Sequence, residues 1–276
     1  MKIAFCTCVQ LGLSCIESIN SNGGKFDLFL TLNDNKSTKK SGRIFLDDIA
    51  KRTNTPLFKI NHINDVEVRE IIKKYEIDWL FIIGWSQIAN TELLFSPKKG
   101  VIGAHPTLLP EGRGRAAVPW AIIKGLNKTG VTFFKMDEGV DTGPILDQYE
   151  IPLSIYENAT DLYEKVNVAH VSLIKQIWPK LMNDSLIGRV QDDRLATYWD
   201  GRTPKDGELN ISMEVDYVDK LVRATTRPYP GAYLQLEENK FLKIWKGSKL
   251  FQENSYKINF HDGVYYATDF QITDEF

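Results

Sequence analysis

Residues 65–84 read DVEVREIIKKYEIDWLFIIG and contain two patterns in direct succession. In the first part, apolar side chains recur at the spacing of an amphipathic helix. The residues that carry this spacing are Val66, Val68, Ile71, Ile72 and Ile77. In the second part, a short apolar run ends at Gly84 and is typical of a buried strand. The stretch therefore predicts a helix that is followed at once by a strand.

The same alternation extends on both sides of this stretch. Strand-like runs at 2–8 and 26–32 flank a helical pattern at 11–19, and another short apolar run follows at 99–104. Alternating strands and helices predict an α/β fold, here a Rossmann-like, mostly parallel sheet with helices on both faces. Such sheets bind their ligands beyond the carboxyl ends of the strands.

The residue pattern of the sequence changes near residue 200. The segment YWDGRTPKDGELN at 198–210 is rich in turn residues. One helical pattern follows at 214–225, and short strand-like runs separated by turns make up the rest. We therefore predict two domains, a Rossmann-like catalytic domain over 1–202 and a small β-rich domain over 203–276.

The overall composition is that of a soluble globular protein. The 276 residues are 43% apolar and 25% charged, with a formal net charge of −2 and a pI of about 6.1. This balance disfavours a nucleic-acid partner, but it allows a small anion held by local cations. No window approaches about 18 continuous apolar residues, and the N-terminus lacks a signal-peptide pattern. We therefore expect a cytoplasmic protein without a membrane partner.

The cysteines predict neither disulfides nor a metal site. Cys6, Cys8 and Cys15 form an odd set near one end of the chain, which does not make a disulfide framework. No further cysteine or histidine follows them at the spacing of metal ligands. We read them as buried thiols and expect no metal.

The stretch GVIGAHPTLLPEGRGRA at 100–116 places His105 at a candidate strand end. Pro106 and Pro110 each fix one backbone φ angle, so the turn is stiff. The glycines of EGRGRA let backbone approach a ligand closely. A histidine that acts on a substrate needs a chosen tautomer and an orienting partner. His105 is therefore a candidate catalytic residue.

The stretch MDEGVDTGP at 136–144 offers that partner. Asp137, Glu138 and Asp141 crowd a loop between two strand-like runs. Acids beside threonine and glycine also serve as plain turn residues, and this interpretation stays open. Beside a rigid histidine, however, a carboxylate can hold the imidazole and support proton removal. No serine or cysteine stands in a suitable context, which disfavours covalent catalysis.

Two further features have competing interpretations. The loop NDNKSTKKSGR at 33–43 is either a solvated loop or a flap that brings cations towards a phosphate. Its cations are Lys36, Lys39, Lys40 and Arg43. His170 lies within a long amphipathic pattern at 158–182, and we read it as a packed residue rather than a ligand.

The stretches GAHPTLLPEGRGRAAVPWAI and TGVTFFKMDEGVDTGPIL together resemble the folate-dependent formyltransferases. That family carries an H-x-S-L-L-P turn and a D-x-G-x-D-T-G loop, which here read HPTLLP and DEGVDTG. The resemblance covers about residues 1–200 and, more loosely, the tail. It implies that His105 is the catalytic histidine, that Asp141 is its acidic partner and that N10-formyltetrahydrofolate delivers the formyl group.

The resemblance also implies a set of folate contacts. They come from the segment before the histidine strand, from the arginine after the LLP turn and from the acidic loop, in part through backbone atoms. By position these residues are Gln87, Ile88, Ala89, Arg115, Asp137, Glu138, Gly139 and Val140.

One position departs from the family pattern. The family places an asparagine two residues before the histidine, where this chain has Gly103. That asparagine helps to hold the developing oxyanion, and the loss of one such donor commonly costs about a hundredfold or more in rate. Protonated His105, Gln87 or a backbone-held water are the candidate replacements. The family serine is Thr107, which keeps a hydroxyl group.

The tail from GRTPKDGELN onwards looks most like enzymes that formylate nucleotide-linked amino sugars for surface polysaccharide. By this analogy we expect a nucleotide amino sugar and folate as small-molecule substrates, and a homodimer. Two alternatives remain. One is a methionyl-tRNA formyltransferase, although the slightly acidic balance disfavours tRNA binding. The other is a folate-binding homologue that lost catalysis together with the asparagine.

Overall fold

The computed structural model describes residues 1–35 and 42–274. Its contacts divide the chain into two compact units, each discontinuous in sequence. The first unit consists of Met1–Arg113, Gly130–Ile151 and Val166–Tyr198. The second unit consists of Gly114–Thr129, Pro152–Lys165 and Trp199–Phe276. In the described ranges, no helix combines the length and hydropathy that a membrane span requires.

Strands and helices alternate in the first half of the chain, and strands dominate its end. The strands are β1 (Ile3–Cys6), β2 (Leu28–Leu32), β3 (Leu57–Ile60), β4 (Trp79–Ile82), β5 (Gly100–His105), β6 (Arg113–Gly114), β7 (Lys128–Lys135), β8 (Ile145–Pro152), β9 (Tyr198–Trp199), β10 (Ala232–Glu237), β11 (Lys240–Ser248), β12 (Tyr256–Asn259) and β13 (Val264–Thr273). The helices are α1 (Gln10–Ser21), α2 (Asp47–Thr53), α3 (Val66–Lys74), α4 (Thr91–Leu94), α5 (Ala117–Ile123), α6 (Ala159–Met182) and α7 (Val215–Thr225).

The main sheet has the strand order β3-β2-β1-β4-β5-β7-β8. The pairs among β1 to β5 are parallel, and β7 is antiparallel to β5. Strands β1 and β4 are continuous apolar runs, β2 is interrupted only by Thr31, and every residue of the three strands is buried, as expected when both faces of a parallel sheet are covered. The predicted α/β fold with a mostly parallel sheet is confirmed.

The two faces of this sheet pack against different helices. On one face, alternate strand residues such as Ala4 and Leu80 form one apolar cluster with Val68 and Ile72 of α3. On the other face, the ring of Phe5 stacks on Phe81. That aromatic layer continues through Phe26 to Trp178 of α6, with 5.0 Å between the last two ring centroids. Helices therefore cover both faces, as the sequence predicts.

The second unit contains the predicted β-rich part. Four antiparallel strands form a sheet in the order β10-β11-β13-β12. Helix α7 buries Val218, Leu221 and Val222, and these side chains recur at the three-to-four-residue spacing of one helix face. The predicted small β-rich part is therefore confirmed as well.

Candidate active site

The turn after β5 is held rigidly by two polar side chains of neighbouring strands. His105 is the last residue of β5 and pairs with Thr132 of β7. The hydroxyl group of Thr132 donates to Thr107 O at 2.7 Å and accepts from Leu109 N at 3.1 Å. Gln148 Nε2 donates to Leu109 O at 2.8 Å and to the Thr132 hydroxyl at 2.9 Å. The backbone that follows His105 is therefore fixed by side chains as well as by its prolines.

Both ring nitrogens of His105 face acceptor groups. Nε2 lies 2.7 Å from Gly112 O, and Nδ1 lies 3.5 Å from Asp141 Oδ2. A carbonyl oxygen can only accept, so Nε2 carries the proton in a neutral ring and Nδ1 presents its lone pair. The distance to Asp141 exceeds the hydrogen-bond range of about 3.2 Å. A proton that arrives at Nδ1 would meet a carboxylate at close range.

Asp141 lies on the loop between β7 and β8. The rule that ligands bind at the carboxyl ends of parallel strands does not predict a position next to His105 for this loop. Because β7 is antiparallel to β5, the loop begins beside the start of β5, where Met136 N donates to Val101 O at 2.8 Å. The loop then folds back. Asp141 has a positive φ of 57°, and a Cβ atom at Gly143 would lie 1.8 Å from Lys135 O. Only glycine fits that second position.

The other acids of this loop bind within or beside it. Asp137 Oδ1 accepts from the Thr142 hydroxyl at 2.6 Å and from Gly139 N at 3.2 Å, so Asp137 shapes the turn. Glu138 Oε1 accepts from the Thr91 hydroxyl of α4 at 3.1 Å. That bond joins the acidic loop to the segment that follows 87–89. Two of the predicted folate-contact segments are therefore neighbours in the first unit.

The side-chain amide of Gln87 is hydrogen-bonded to neighbouring loop residues. Its Oε1 accepts from Ile63 N at 2.8 Å and from Trp85 Nε1 at 3.1 Å, while Nε2 donates to Asn61 O at 3.1 Å. These bonds tie the 84–90 loop to the loop after β3. These bonds engage Oε1 and one of the two Nε2–H donors, and Gln87 as a replacement for the missing oxyanion donor stays a prediction.

The two residues after Gln87 differ in exposure. Ile88 is 79% exposed, and Ala89 packs against the apolar cluster beneath the sheet. In the acidic loop, Val140 is also exposed, at 54%. Both are exposed apolar side chains on loops that the Glu138–Thr91 bond joins.

The structure describes two of the predicted cations, Arg43 and Arg115. Arg115 belongs to the second unit, where its backbone N donates to Trp199 O at 3.0 Å. Arg43 has a side chain that is only 4% exposed, and its guanidinium group donates to the Thr31 hydroxyl at 2.8 Å and to Leu32 O. The proposed role of Arg43 in a cationic flap is therefore wrong. The other cations of that loop lie outside the described residues: Lys36, Lys39 and Lys40.

The space beside Gly103 is filled. A Cβ atom at this position would lie 2.9 Å from Met136 Cγ and 3.1 Å from Phe134 Cζ. Gly103 and His105 are two residues apart on β5, so their side-chain directions share one face of the sheet. Apolar atoms therefore stand where the family carries an amide. Thr107 Oγ1 is buried and has no hydrogen-bond partner among the described residues.

Two polar residues near the site escaped the sequence analysis. Arg113 is 1% exposed and Gln191 is 6% exposed, and the two side chains bind each other. Gln191 also binds the backbone of the loop that carries Asp141. The only signal in the sequence is an arginine between two glycines of the rigid turn, and nothing local marks Gln191. Within residues 1–35 and 42–274, no group of three or more acidic, histidine or cysteine side chains could hold a metal.

Comparisons with known proteins address the whole chain. The family model described as "Formyl transferase" matches residues 1–177, and the one described as "Formyl transferase, C-terminal domain" matches residues 202–265. The bifunctional polymyxin resistance protein ArnA of Wigglesworthia glossinidia brevipalpis is 30% identical over 250 residues. That alignment covers 90% of this chain, which spans only 37% of the length of that relative.

Two solved structures share the fold. The N-formyltransferase from Helicobacter canadensis, in complex with folinic acid and dTDP-3-aminofucose, has a TM-score of 0.72 at 20% identity, covering 98% of this chain and 100% of that one. The methionyl-tRNA formyltransferase from Clostridium thermocellum has a TM-score of 0.67 at 18% identity, covering 99% and 98%. At these identities the likeness shows the fold alone.

Proposed function

The chain belongs to the formyl transferase family, and from that premise we propose that it moves a formyl group from N10-formyltetrahydrofolate to the amine of a nucleotide-linked amino sugar. The observation that carries the proposal is the pairing of His105 with Asp141 across 3.5 Å. A buried imidazole beside a carboxylate can accept a proton and hold the resulting charge. Proton transfer of this kind is what an attack by an amine requires.

The reaction needs one proton to move from the acceptor to the donor. The unprotonated amine attacks the formyl carbon and forms a new C–N bond, which gives a tetrahedral intermediate. Nδ1 of His105 takes the proton from the attacking nitrogen, and Asp141 stabilises the imidazolium. The bond from the formyl carbon to N10 then breaks, and the same proton passes to N10. The Gly112 carbonyl keeps Nε2 protonated, so that Nδ1 is the nitrogen that reacts.

The folate contacts are carried over by position, and the described residues are compatible with them. The acidic loop and the segment after 87–89 are joined by the Glu138–Thr91 bond. Exposed apolar side chains, Ile88 and Val140, offer contacts to a flat ring. The structural neighbour from Helicobacter canadensis holds a folate derivative and a dTDP-linked amino sugar, which supports the same pair of ligands here.

A transfer assay tests this function. The protein is incubated with N10-formyltetrahydrofolate and a panel of UDP-, dTDP-, GDP- and CMP-linked amino sugars, and products are identified by mass spectrometry. We expect one formylated amino sugar and an equal amount of tetrahydrofolate. The matched control is the same nucleotide sugar with its amine acetylated, which must give no product.

The same assay, with methionyl-tRNA as a further acceptor, separates the two alternatives. Formylation of methionyl-tRNA, with binding that weakens steeply with salt, would identify the tRNA enzyme. Folate binding without any product from the panel or from methionyl-tRNA would identify a silenced homologue.

Four further expectations belong to the same proposal. We propose a cytoplasmic enzyme of surface polysaccharide synthesis, a homodimer and a domain division at residues 202 and 203. Light scattering during gel filtration tests the dimer, since a monomer mass at assay concentrations would contradict it. Limited proteolysis tests the division, which predicts first cleavage near residue 202.

A further inference from the structure

Gln191 is a buried amide whose hydrogen-bonding groups are all in use. Its Oε1 accepts from Arg113 Nε at 3.2 Å and from Arg113 Nη2 at 2.9 Å. Its Nε2 donates to Asp141 O at 2.8 Å and to Gly143 O at 2.7 Å. Two donors face the oxygen and two carbonyls face the nitrogen, so the amide has only one satisfactory orientation.

Arg113 is fixed as firmly as its partner. Its Nη2 also donates to Asp193 Oδ1 at 2.7 Å, and Nη1 donates to the Tyr198 hydroxyl at 2.9 Å. Its backbone N donates to Thr197 O at 2.9 Å. A planar guanidinium group with this many fixed donors has little freedom to move. Gln191 is therefore held by a rigid neighbour rather than by a mobile surface chain.

These hydrogen bonds connect one peptide group to both members of the His105–Asp141 pair. The residue before Arg113 is Gly112, whose carbonyl binds His105 Nε2. On the other side, Gln191 binds the backbone carbonyl of Asp141, whose carboxylate faces His105 Nδ1. The peptide at Gly112 and Arg113 thus connects, directly and through Gln191, to both members of the pair. All of these residues belong to the first unit.

Asp141 needs this support because of its backbone. Its φ of 57° lies in the left-handed region, where a residue other than glycine depends on its surroundings to hold it. The two carbonyls bound by Gln191 flank the turn at residues 141–143. Without these bonds the turn loses two of its hydrogen bonds, and the carboxylate is held less firmly at the place that faces Nδ1.

We infer that Gln191 is a positioning residue, which, together with Arg113, holds Asp141 at the reacting nitrogen of His105. The inference rests on the proposed function. Gln191 acts through Asp141, so its loss weakens the stabilisation of the imidazolium without removing a contact to either substrate. A displacement of about 1 Å in such a pair can cost about a hundredfold in rate.

The first test replaces the donor and keeps the acceptor. Gln191→Glu retains an oxygen for Arg113 but loses both N–H donors to the carbonyls. We expect kcat to fall between about tenfold and a hundredfold, with the KM values of both substrates changed by less than about threefold. Gln176→Glu makes the same chemical change on the exposed side of α6, and it should keep the wild-type kcat. Gln191→Met is the second variant if the glutamate form does not fold.

A double-mutant cycle separates positioning from general structural damage. In an Asp141→Asn background, Gln191→Glu should lower kcat by less than about twofold, since its effect passes through the carboxylate that is already gone. Additive losses in the double variant would overturn the inference. A wild-type kcat in Gln191→Glu and in Gln191→Met would overturn it as well.

A readout without substrate keeps this inference distinct from the proposed function. Nitrogen-15 NMR of the His105 ring, assigned by its loss in His105→Gln, should show a changed Nδ1 signal in Gln191→Glu and an unchanged one in Gln176→Glu. If wild-type protein formylates no acceptor, the proposed function fails while this measurement still decides on Gln191. An unchanged Nδ1 signal in Gln191→Glu would contradict the positioning role.

Discussion

His105 and His170 are buried to a similar depth but have opposite surroundings. His105 is 7% exposed and His170 is 2% exposed. His105 has a carbonyl at one nitrogen and a carboxylate at the other. His170 donates from Nδ1 to Val166 O, and its ring packs against Phe133. Burial lowers the pKa of His170 to about 4. Depth alone therefore does not distinguish the two rings, whereas the carboxylate beside Nδ1 of His105 does.

The largest expected effect comes from removing the imidazole at His105. His105→Gln keeps a donor near Gly112 O but removes the group that takes the proton. We expect kcat of formyl transfer to fall by roughly 10²–10⁴-fold, with little loss of thermal stability. His62→Gln, at an exposed position in the same unit, is the matched control and should be as active as wild type. Activity within tenfold of wild type in His105→Gln would remove His105 from the mechanism.

The next effect concerns the stability that His170 contributes. Its pKa lies near 4 in the folded protein, below the ordinary value of about 6.5. As pH falls from 6.5 towards 4, the imidazole of His170 binds a proton in the unfolded chain but not in the folded chain. The free energy of unfolding therefore drops across this window by about 3 kcal/mol and then levels off, and above pH 6.5 the contribution is complete.

Denaturant titrations at several pH values check this contribution. His170→Phe removes the titrating group and should flatten the change between pH 6.5 and 4, while His62→Gln keeps the wild-type slope. An unchanged slope in His170→Phe would mean that His170 is protonated readily in the folded protein. The comparison between the two histidines would then lose its basis.

The sequence distinguishes these two histidines from local context alone. His105 follows an apolar run and precedes a proline-bounded turn, whereas His170 lies at an inward position of a helical pattern. The alternation of strands and helices likewise predicts the sheet, because burial on both faces demands continuous apolar runs. Local patterns of three to twenty residues therefore carry the fold class and point to the candidate histidine.

Features that depend on distant partners were not predictable in the same way. Gln191 lies 78 residues from Arg113 along the chain, and no periodicity links the two. Arg43 reads as a solvated cation, yet it folds back onto β2 because its guanidinium group finds acceptors there. The antiparallel direction of β7 also decides where the acidic loop begins, and hydrophobic pattern does not reveal strand direction.

The smallest expected effect tests the apolar side of the His105 pocket. Gly103→Asn introduces the family amide, but its Cβ would lie 2.9 Å from Met136 Cγ. Overpacking of this kind costs roughly 1–3 kcal/mol, so we expect the single variant to be less stable and no faster. Met136→Ala in the same chain frees that space and should recover most of the stability. Because one oxyanion donor is commonly worth about a hundredfold or more in rate, the double variant should exceed the kcat of Met136→Ala alone. Thermal unfolding measures the stability of the variants, and the transfer assay measures their kcat.

A single variant as stable as wild type would show that the Met136 side chain moves aside at little cost. A double variant no faster than Met136→Ala would show that this pocket reaches its rate without a donor at position 103.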